Sequence, residues 1–241
     1  RLPAQGMPRS QLAAMTLGDA HALDRGRPVA TLVLAALRDD AEERTRDVWA
    51  RVGILVNELA APALVLNLPA EQDTLAGQLC ELARERGEPL QLSLRALLRE
   101  PPRWRVQARD VFVCENANLV SLIADRLGAR SAPLVCTDGM PSASQRVLLQ
   151  QLAAQGARLF YHGDFDWPGL RIANFVLRSV SGAQPWRMRA QDYIPQAGRA
   201  LTGPQVIASW DSELTPRMAA VGYVLEEEAV ADVLSEDLRH A

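Results

Sequence analysis

The second half of the sequence alternates short apolar runs of strand composition with helical segments, and this order constrains the fold more than any other feature. The three runs lie at residues 111–114, 133–136 and 158–162, and each precedes a segment with helical apolar spacing. Parallel strands need long crossover connections, which are usually helices. The β-α-β-α-β-α order therefore predicts an α/β fold with a largely parallel sheet and helices on both faces.

The first hundred residues have a different organisation, with more helix and one clear strand. Residues 48–59 have helical apolar spacing, and residues 63–68 have the composition of a short buried strand. Pro101 and Pro102 end this block and indicate a boundary. We therefore expect a helix-rich domain over residues 1–104 and the α/β domain over residues 105–241.

Charge and cysteine content limit the partners and the compartment. The net charge is −3, so the chain as a whole does not attract DNA or an anionic membrane. If it acts on nucleic acid, a local patch, metal ions or a partner must supply the attraction. The three cysteines are odd in number and lack CxxC spacing, which favours reduced thiols in a cytoplasmic protein. No apolar run approaches the ~18 residues that span a membrane.

Carboxylates follow two of the predicted strands. Glu115 comes directly after the first strand, and Asp164 and Asp166 follow the third. The carboxyl ends of parallel strands gather at one sheet edge, where ligands bind, and alternate side chains of extended backbone share a face. Three converging carboxylates repel unless cations neutralise them, and hard oxygen ligands suit Mg²⁺ or Mn²⁺. The pattern predicts a catalytic metal site that cleaves phosphodiesters.

Simpler interpretations stand beside this one. Acids after strands are often helix caps, and Asp166 could cap the helix that begins near Pro168. Weaker candidates are Glu227 as a further metal ligand, and Gly139, Arg171 and Arg178 as contacts to DNA phosphate. For these acidic and basic residues, exposure on a solvated face is the alternative.

The segments that carry these residues resemble the Toprim domain, the catalytic module of topoisomerases, primases and several nucleases. That family has a Glu after its first strand, a Gly-containing loop after the next and DxD after the third, which correspond here to Glu115, Gly139 and the Asp164–Asp166 pair. Residues 164–169 are similar to the form in topoisomerase VI A subunits and the meiotic double-strand-break transesterases. More closely, the chain resembles the JetD nuclease subunits of Wadjet anti-plasmid systems, in residues 16–23, 111–116, 134–142 and 161–173.

This resemblance implies a winged-helix-like DNA-binding domain over residues 1–104 and a Toprim catalytic domain over residues 105–241. It also implies Mg²⁺ or Mn²⁺ as cofactor, plasmid DNA as substrate, and a partner complex with an SMC-type motor. An additional N-terminal region is expected before Arg1. A homodimer would be required to break both DNA strands symmetrically.

One departure from the topoisomerases concerns the nucleophile. Those enzymes cut DNA with a tyrosine of the winged-helix domain. The tyrosines here are Tyr161, Tyr193 and Tyr223, so residues 1–160 contain none that could serve as this nucleophile. We therefore expect water as the nucleophile and hydrolysis as the reaction. Two other functions stay open: a Toprim-like scaffold that binds DNA or a partner without cutting, and a phosphatase with an Asp nucleophile. The complete acid set speaks against the scaffold, and the position of DxD after the third strand speaks against the phosphatase.

Overall fold

The computed structural model describes residues 2–38, 45–56, 59–195 and 198–240. In chain order the helices and strands are β1 (Met7–Pro8), α1 (Arg9–Leu17), α2 (Pro28–Leu37), α3 (Thr45–Arg51), β2 (Ile54–Leu55), β3 (Ala63–Leu66), α4 (Leu75–Arg86), β4 (Leu90–Leu92), α5 (Leu94–Arg99), β5 (Asp110–Cys114), α6 (Ala117–Leu127), β6 (Leu134–Cys136), α7 (Ala143–Ala154), β7 (Arg158–Tyr161), α8 (Trp167–Ser179), β8 (Gln184–Pro185), α9 (Leu214–Val221) and α10 (Ala231–His240).

A six-stranded sheet in the order β4-β3-β6-β5-β7-β8 forms the centre of the molecule. Strand β5 is parallel to β6 and β7, and β7 is parallel to β8. Strand β3 runs antiparallel to both of its neighbours in this sheet, β4 and β6. The protein is therefore mixed α/β with a mostly parallel central sheet, which confirms the fold class predicted from the alternation of strands and helices.

The strand order contains a topological switch point beside β5. The chain leaves β5 through α6 to reach β6 on one side, and then crosses through α7 to β7 on the other side of β5. In open α/β sheets, ligands bind outside the carboxyl ends of the strands where the order reverses in this way. The acids that follow β5 and β7 lie at such a position.

Local capping signals place the helices that flank the switch point. Ser142 and Gln145 form a capping box at the start of α7. Asp166 is the N-cap of α8 and accepts a hydrogen bond from the Gly169 amide at 2.7 Å. Gly87 ends α4 in the left-handed conformation.

The predicted helix over residues 48–59 is wrong beyond Arg51. The chain turns at Gly53, which has a φ of +75°, and continues as β2, which pairs in parallel with β1. A Cβ at residue 53 would lie 1.7 Å from the carbonyl oxygen of Ala4, so only glycine allows this close approach. Residues 57 and 58 of the prediction lie outside the described residues.

The sheet extends across the predicted boundary at residue 104. Strands β3 and β4 precede that position but are hydrogen-bonded into the sheet of β5 to β8. One buried apolar cluster joins Leu55 and Leu94 from the first part of the chain to Val111 and Leu148 from the second. The two parts therefore share a core, and the winged-helix character of the first part stays a prediction.

Two further findings bear on the expected surroundings of the protein. The three cysteines are buried free thiols. Across the described ranges, no helix combines the length and the apolar character that crossing a membrane requires.

Candidate active site

The structure brings Glu115 and Asp164 together at the carboxyl edge of the sheet. Glu115 is the first residue after β5, and Asp164 is the third after β7. The backbone amide of Asp164 donates a hydrogen bond to Oε2 of Glu115 at 3.3 Å. The side chain of Glu115 is largely buried, at 8% exposure, whereas Asp164 is half-buried. Two acids that lie 49 residues apart in the chain thus meet at the switch point.

Glycine makes this close approach possible. A Cβ at residue 163 would lie 2.7 Å from Oε2 of Glu115 and 2.8 Å from the hydroxyl of Tyr161. A Cβ at residue 169 would lie 2.1 Å from the carbonyl oxygen of Asp164. Gly163 is part of the loop that carries the DxD pair, so the loop can pass beside Glu115, and Gly169 lies in the first turn of α8, so the helix can start close to Asp164.

Glu227 connects the two strand ends from a third segment of the chain. Its side chain is fully buried, and its Oε1 and Oε2 accept hydrogen bonds from the backbone amides of Glu115 and Asn116, at 3.1 and 2.7 Å. Its own backbone amide donates to Oδ1 of Asp164 at 2.7 Å. Glu227 therefore fixes the turn after β5 and the orientation of Asp164 at the same time.

Burial first, and repulsion between neighbouring carboxylates second, raise the pKa values of Glu115, Asp164 and Glu227. Burial raises the pKa of Glu115 to about 7, and the negative charges of Asp164, Asp166 and Glu228 add to the effect. The pKa of Asp164 is also raised, by burial first and by Asp166 among its neighbours. Burial raises the pKa of Glu227 well above its ordinary value, and the two backbone amides only partly oppose this. The site thus concentrates negative charge that a cation would relieve.

The contacts of Asp166 bear on both roles predicted for it, as a helix cap and as a metal ligand. Its Oδ1 caps α8, as the simpler interpretation holds. Its Oδ2 lies 3.5 Å from Nη2 of Arg199, whose guanidinium is also 3.7 Å from Glu226. Because its charge raises the pKa values of both Glu115 and Asp164, Asp166 belongs to the same electrostatic cluster.

A cleft borders this cluster. It has a volume of about 420 Å³, and Arg199, Leu225 and Glu226 are part of its lining. Leu225 pairs with Phe165, the residue between the two aspartates, through a backbone hydrogen bond of 2.9 Å from the Phe165 amide. The cleft therefore lies beside the segment that carries the DxD pair.

The donor chemistry fits a hard divalent cation, although the side chains are not arranged as a finished metal site. Among the described residues, no three His, Cys, Asp or Glu side chains form a ready metal-binding group. Backbone amides bind one oxygen each of Glu115, Asp164 and Asp166, and both oxygens of Glu227. The other carboxylate oxygen of Glu115 and that of Asp164 are therefore left for a cation such as Mg²⁺ or Mn²⁺, whereas that of Asp166 would have to exchange its ion pair with Arg199 for the cation.

The three residues predicted to contact DNA phosphate lie in the loop after β6 and on helix α8. Gly139 lies in the loop after β6, has a φ of +75°, and donates its amide hydrogen to the carbonyl of Glu115 at 3.3 Å. This loop therefore contacts the end of β5. Arg171 and Arg178 are exposed on α8, and the guanidinium of Arg178 lies 5.9 Å from the ring centre of Phe175. Their contact with DNA stays a prediction.

Asn116 and Tyr161 belong to the site although the sequence did not single them out for it. Asn116 occupies the N-cap position of α6 without making a capping bond, and Nδ2 of its side-chain amide instead donates to Oδ1 of Asp164 at 3.1 Å. The fully buried Tyr161 has its pKa raised well above the ordinary value by burial and by the charges of Glu115 and Glu227. Adjacency to Glu115 was the only signal for Asn116, and nothing in the sequence indicated Tyr161.

Comparison with protein families covers most of the chain. The model described as "Protein of unknown function C-terminus (DUF2399)" matches residues 90–238. The chain belongs to this family. The model described as "Protein of unknown function N-terminus (DUF3323)" matches residues 1–70, and a comparison with curated proteins finds no match. The DUF2399 segment contains all four acids of the site, whereas β3 lies in the DUF3323 segment and still pairs with β6 of the DUF2399 segment.

Proposed function

We propose that this protein is a Mg²⁺- or Mn²⁺-dependent DNA endonuclease that hydrolyses phosphodiester bonds. The observation that carries the proposal is the hydrogen bond between the Asp164 amide and Glu115, because it brings acids from two strand ends together at the switch point of the sheet. Carboxylates gathered in this way are the usual ligands of cations that act on phosphate esters.

Each residue has a distinct role in this proposal. Glu115 and Asp164 would hold the cation through the oxygens that their backbone hydrogen bonds leave available, and Asp166 through the oxygen that faces Arg199. A bound divalent cation would neutralise the charge of the phosphate and make water more acidic. Glu227, whose two oxygens already accept backbone hydrogen bonds, would position the other acids instead of serving as the further ligand predicted from the sequence.

Glu115 is also suited to moving a proton. A general acid or base works best when its pKa lies near the working pH, and burial raises the pKa of Glu115 to about 7. As an alternative to holding the cation, Glu115 would therefore be suited to take a proton from the attacking water, at its position next to Asp164.

The choice of DNA as substrate, and of plasmid DNA in particular, comes from the resemblance to the Toprim nuclease subunits of Wadjet systems. The same resemblance suggests an SMC-type motor as partner, and the odd number of cysteines without CxxC spacing favours a cytoplasmic location. A chain with a net charge of −3 is suited to receiving DNA from such a partner. A homodimer would let two copies of the site cut opposite strands.

Nicking of supercoiled plasmid in the presence of Mn²⁺ tests the proposal. We expect Glu115→Gln and Asp164→Asn to lose nicking, while Asp232→Asn, which changes an exposed acid on α10, keeps it. Cleavage by the first two variants at the parent rate would overturn the site assignment. Release of phosphate from a small phosphate ester without DNA nicking would instead support the phosphatase, and DNA binding without any turnover would support the scaffold.

A further inference from the structure

A second cleft, of about 260 Å³, gathers arginines at the opposite edge of the sheet. Its lining contains four arginines and no acidic residue: Asn67, Pro69, Arg84, Arg105, Arg109, Ala129, Arg130, Ser131, Ala132 and Pro133. On a protein with a net charge of −3, this is a local concentration of positive charge. A local patch of this kind is what an acidic chain needs in order to bind a polyanion.

The arginine cleft lies far from the acids of the candidate active site. Its residues surround the beginnings of β5 and β6, whereas Glu115 follows the end of β5. At about 3.3 Å per residue along a strand, the span from Arg109 to Glu115 corresponds to roughly 20 Å. The two sites therefore cannot hold the same phosphate group.

A buried acid fixes two of the four guanidinium groups. Oε1 of Glu81 lies 2.7 Å from Nη2 of Arg105, and Oε2 accepts hydrogen bonds from Nε and Nη2 of Arg84 at 3.1 and 2.8 Å. Burial would raise the pKa of Glu81, but the hydrogen bonds from Arg84 and Arg105 dominate and lower it to about 2. Glu81 therefore stays charged and holds both guanidinium groups in place at neutral pH.

Close packing between the end of α4 and the turn over residues 128–130 brings Arg130 into the same cleft as Arg84 and Arg105. At the end of α4, a Cβ on Gly87 would lie 2.2 Å from the backbone nitrogen of Ala129. This contact seats the turn over residues 128–130 against the helix end. Arg84 from the helix and Arg130 from the turn consequently face the same cleft.

Arg109 and Arg130 carry charge that no acid neutralises. Within the described part of the chain, neither has a carboxylate at ion-pair distance, and Arg130 donates only a long hydrogen bond, of 3.4 Å, to the carbonyl of Leu127. Both side chains are exposed. Guanidinium groups with available N–H donors are the side chains best suited to phosphate oxygens.

We propose that this arginine cleft binds a backbone phosphate of DNA and anchors the duplex away from the cleavage site. The choice of DNA as the source of the phosphate rests on the proposed function, whereas the affinity for phosphate rests on the four arginines. Each DNA strand carries a phosphate about every 3.4 Å along the axis, so roughly six base pairs span the distance between the two sites.

Fluorescence anisotropy with a short labelled duplex, in EDTA so that no cleavage occurs, tests this proposal. We expect Arg109→Ala/Arg130→Ala to weaken binding at least about tenfold and to reduce the slope of log K against log salt by about 1 to 2. Arg86→Ala/Arg239→Ala, which removes two exposed arginines outside the cleft, should bind like the parent. If the cleft variant Arg109→Ala/Arg130→Ala binds the duplex as well as the control variant Arg86→Ala/Arg239→Ala, the proposal is wrong. Arg109→Gln/Arg130→Gln repeats the test should the alanine variant fold poorly.

Two further measurements separate the possible sources of phosphate and the two sites. If inorganic phosphate or a mononucleotide raises the Tm of the parent but not of the cleft variant, while duplex binding is the same in both, the cleft takes a free phosphate and not DNA. Binding in EDTA does not depend on cleavage. A parent protein that needs the cleft for DNA binding but never nicks DNA would thus retain this inference and lose the proposed nuclease function.

Discussion

The backbone amide of Glu115 donates a hydrogen bond to Oε1 of Glu227, a residue 112 positions later in the chain, at 3.1 Å. The backbone amide of Glu227 in turn donates a hydrogen bond to Oδ1 of Asp164, in the loop after β7. The end of β5, the loop after β7 and the segment before α10 are therefore fixed to one another through acids. Burying acids is costly unless their oxygens have donors, and backbone amides supply a donor to both oxygens of Glu227 and to one oxygen each of Glu115 and Asp164.

Glu227 is the residue whose removal should affect this arrangement most. We expect Glu227→Ala to lower the free energy of unfolding by about 2–3 kcal/mol, because two buried amides lose their acceptor. Metal-dependent nicking should fall as well, because the lost side-chain bonds hold the segment of residue 227, whose backbone amide orients Asp164, against the end of β5. Chemical denaturation measures the first effect. The neighbouring variant Glu226→Ala, at an exposed position, should stay within about 0.5 kcal/mol of the parent. Equal stability of the two variants would contradict the role given to Glu227.

Asp166 allows its capping role to be separated from its role as a ligand. Serine is also a good N-cap, so Asp166→Ser should keep α8 capped and leave the unfolding free energy within about 0.5 kcal/mol of the parent. Asp166→Ala should cost about 1 kcal/mol, since it removes the cap. If Asp166 holds the cation, both variants lose nicking. Full activity of Asp166→Ser would reduce Asp166 to a helix cap.

The sequence predicted the part of the site that depends on local rules. Glu115, Asp164 and Asp166 could be predicted because acids that directly follow neighbouring parallel strands must lie at one edge. The burial of Glu227 could not, because three consecutive glutamates at a helix start are usually exposed, and only long-range packing selects the middle one.

The difference between local signals and long-range packing also explains which features of the fold were predicted wrongly or not at all. The helix predicted beyond Arg51 fails because Gly53 packs against Ala4, a contact between residues far apart in sequence. Likewise, β3 has the composition of a strand, but nothing near it indicates that it pairs with β6 across the predicted boundary. Apolar periodicity reports which face is buried and not which partner buries it.

Glu81 should make stability depend on pH at acidic values. Its pKa is lowered from 4.5 to about 2 in the folded protein, so its contribution is complete above the unfolded value and is lost as the pH falls towards 2. That contribution is on the order of 3 kcal/mol. We therefore expect the difference in unfolding free energy between the parent and Glu81→Gln to be largest at neutral pH and to shrink between about pH 4.5 and 2. A difference that does not change with pH would contradict this account.

Binding of Mn²⁺, followed by isothermal titration calorimetry at neutral pH, tests the central claim most directly. The account predicts that the parent protein binds Mn²⁺ and that Glu115→Gln and Asp164→Asn each weaken binding at least about tenfold, since each removes a charged ligand oxygen. The control Asp232→Asn, at an exposed acid outside the cluster, should bind like the parent. Unchanged affinity in the first two variants, or no binding by the parent, would contradict the proposal that these acids hold a divalent cation.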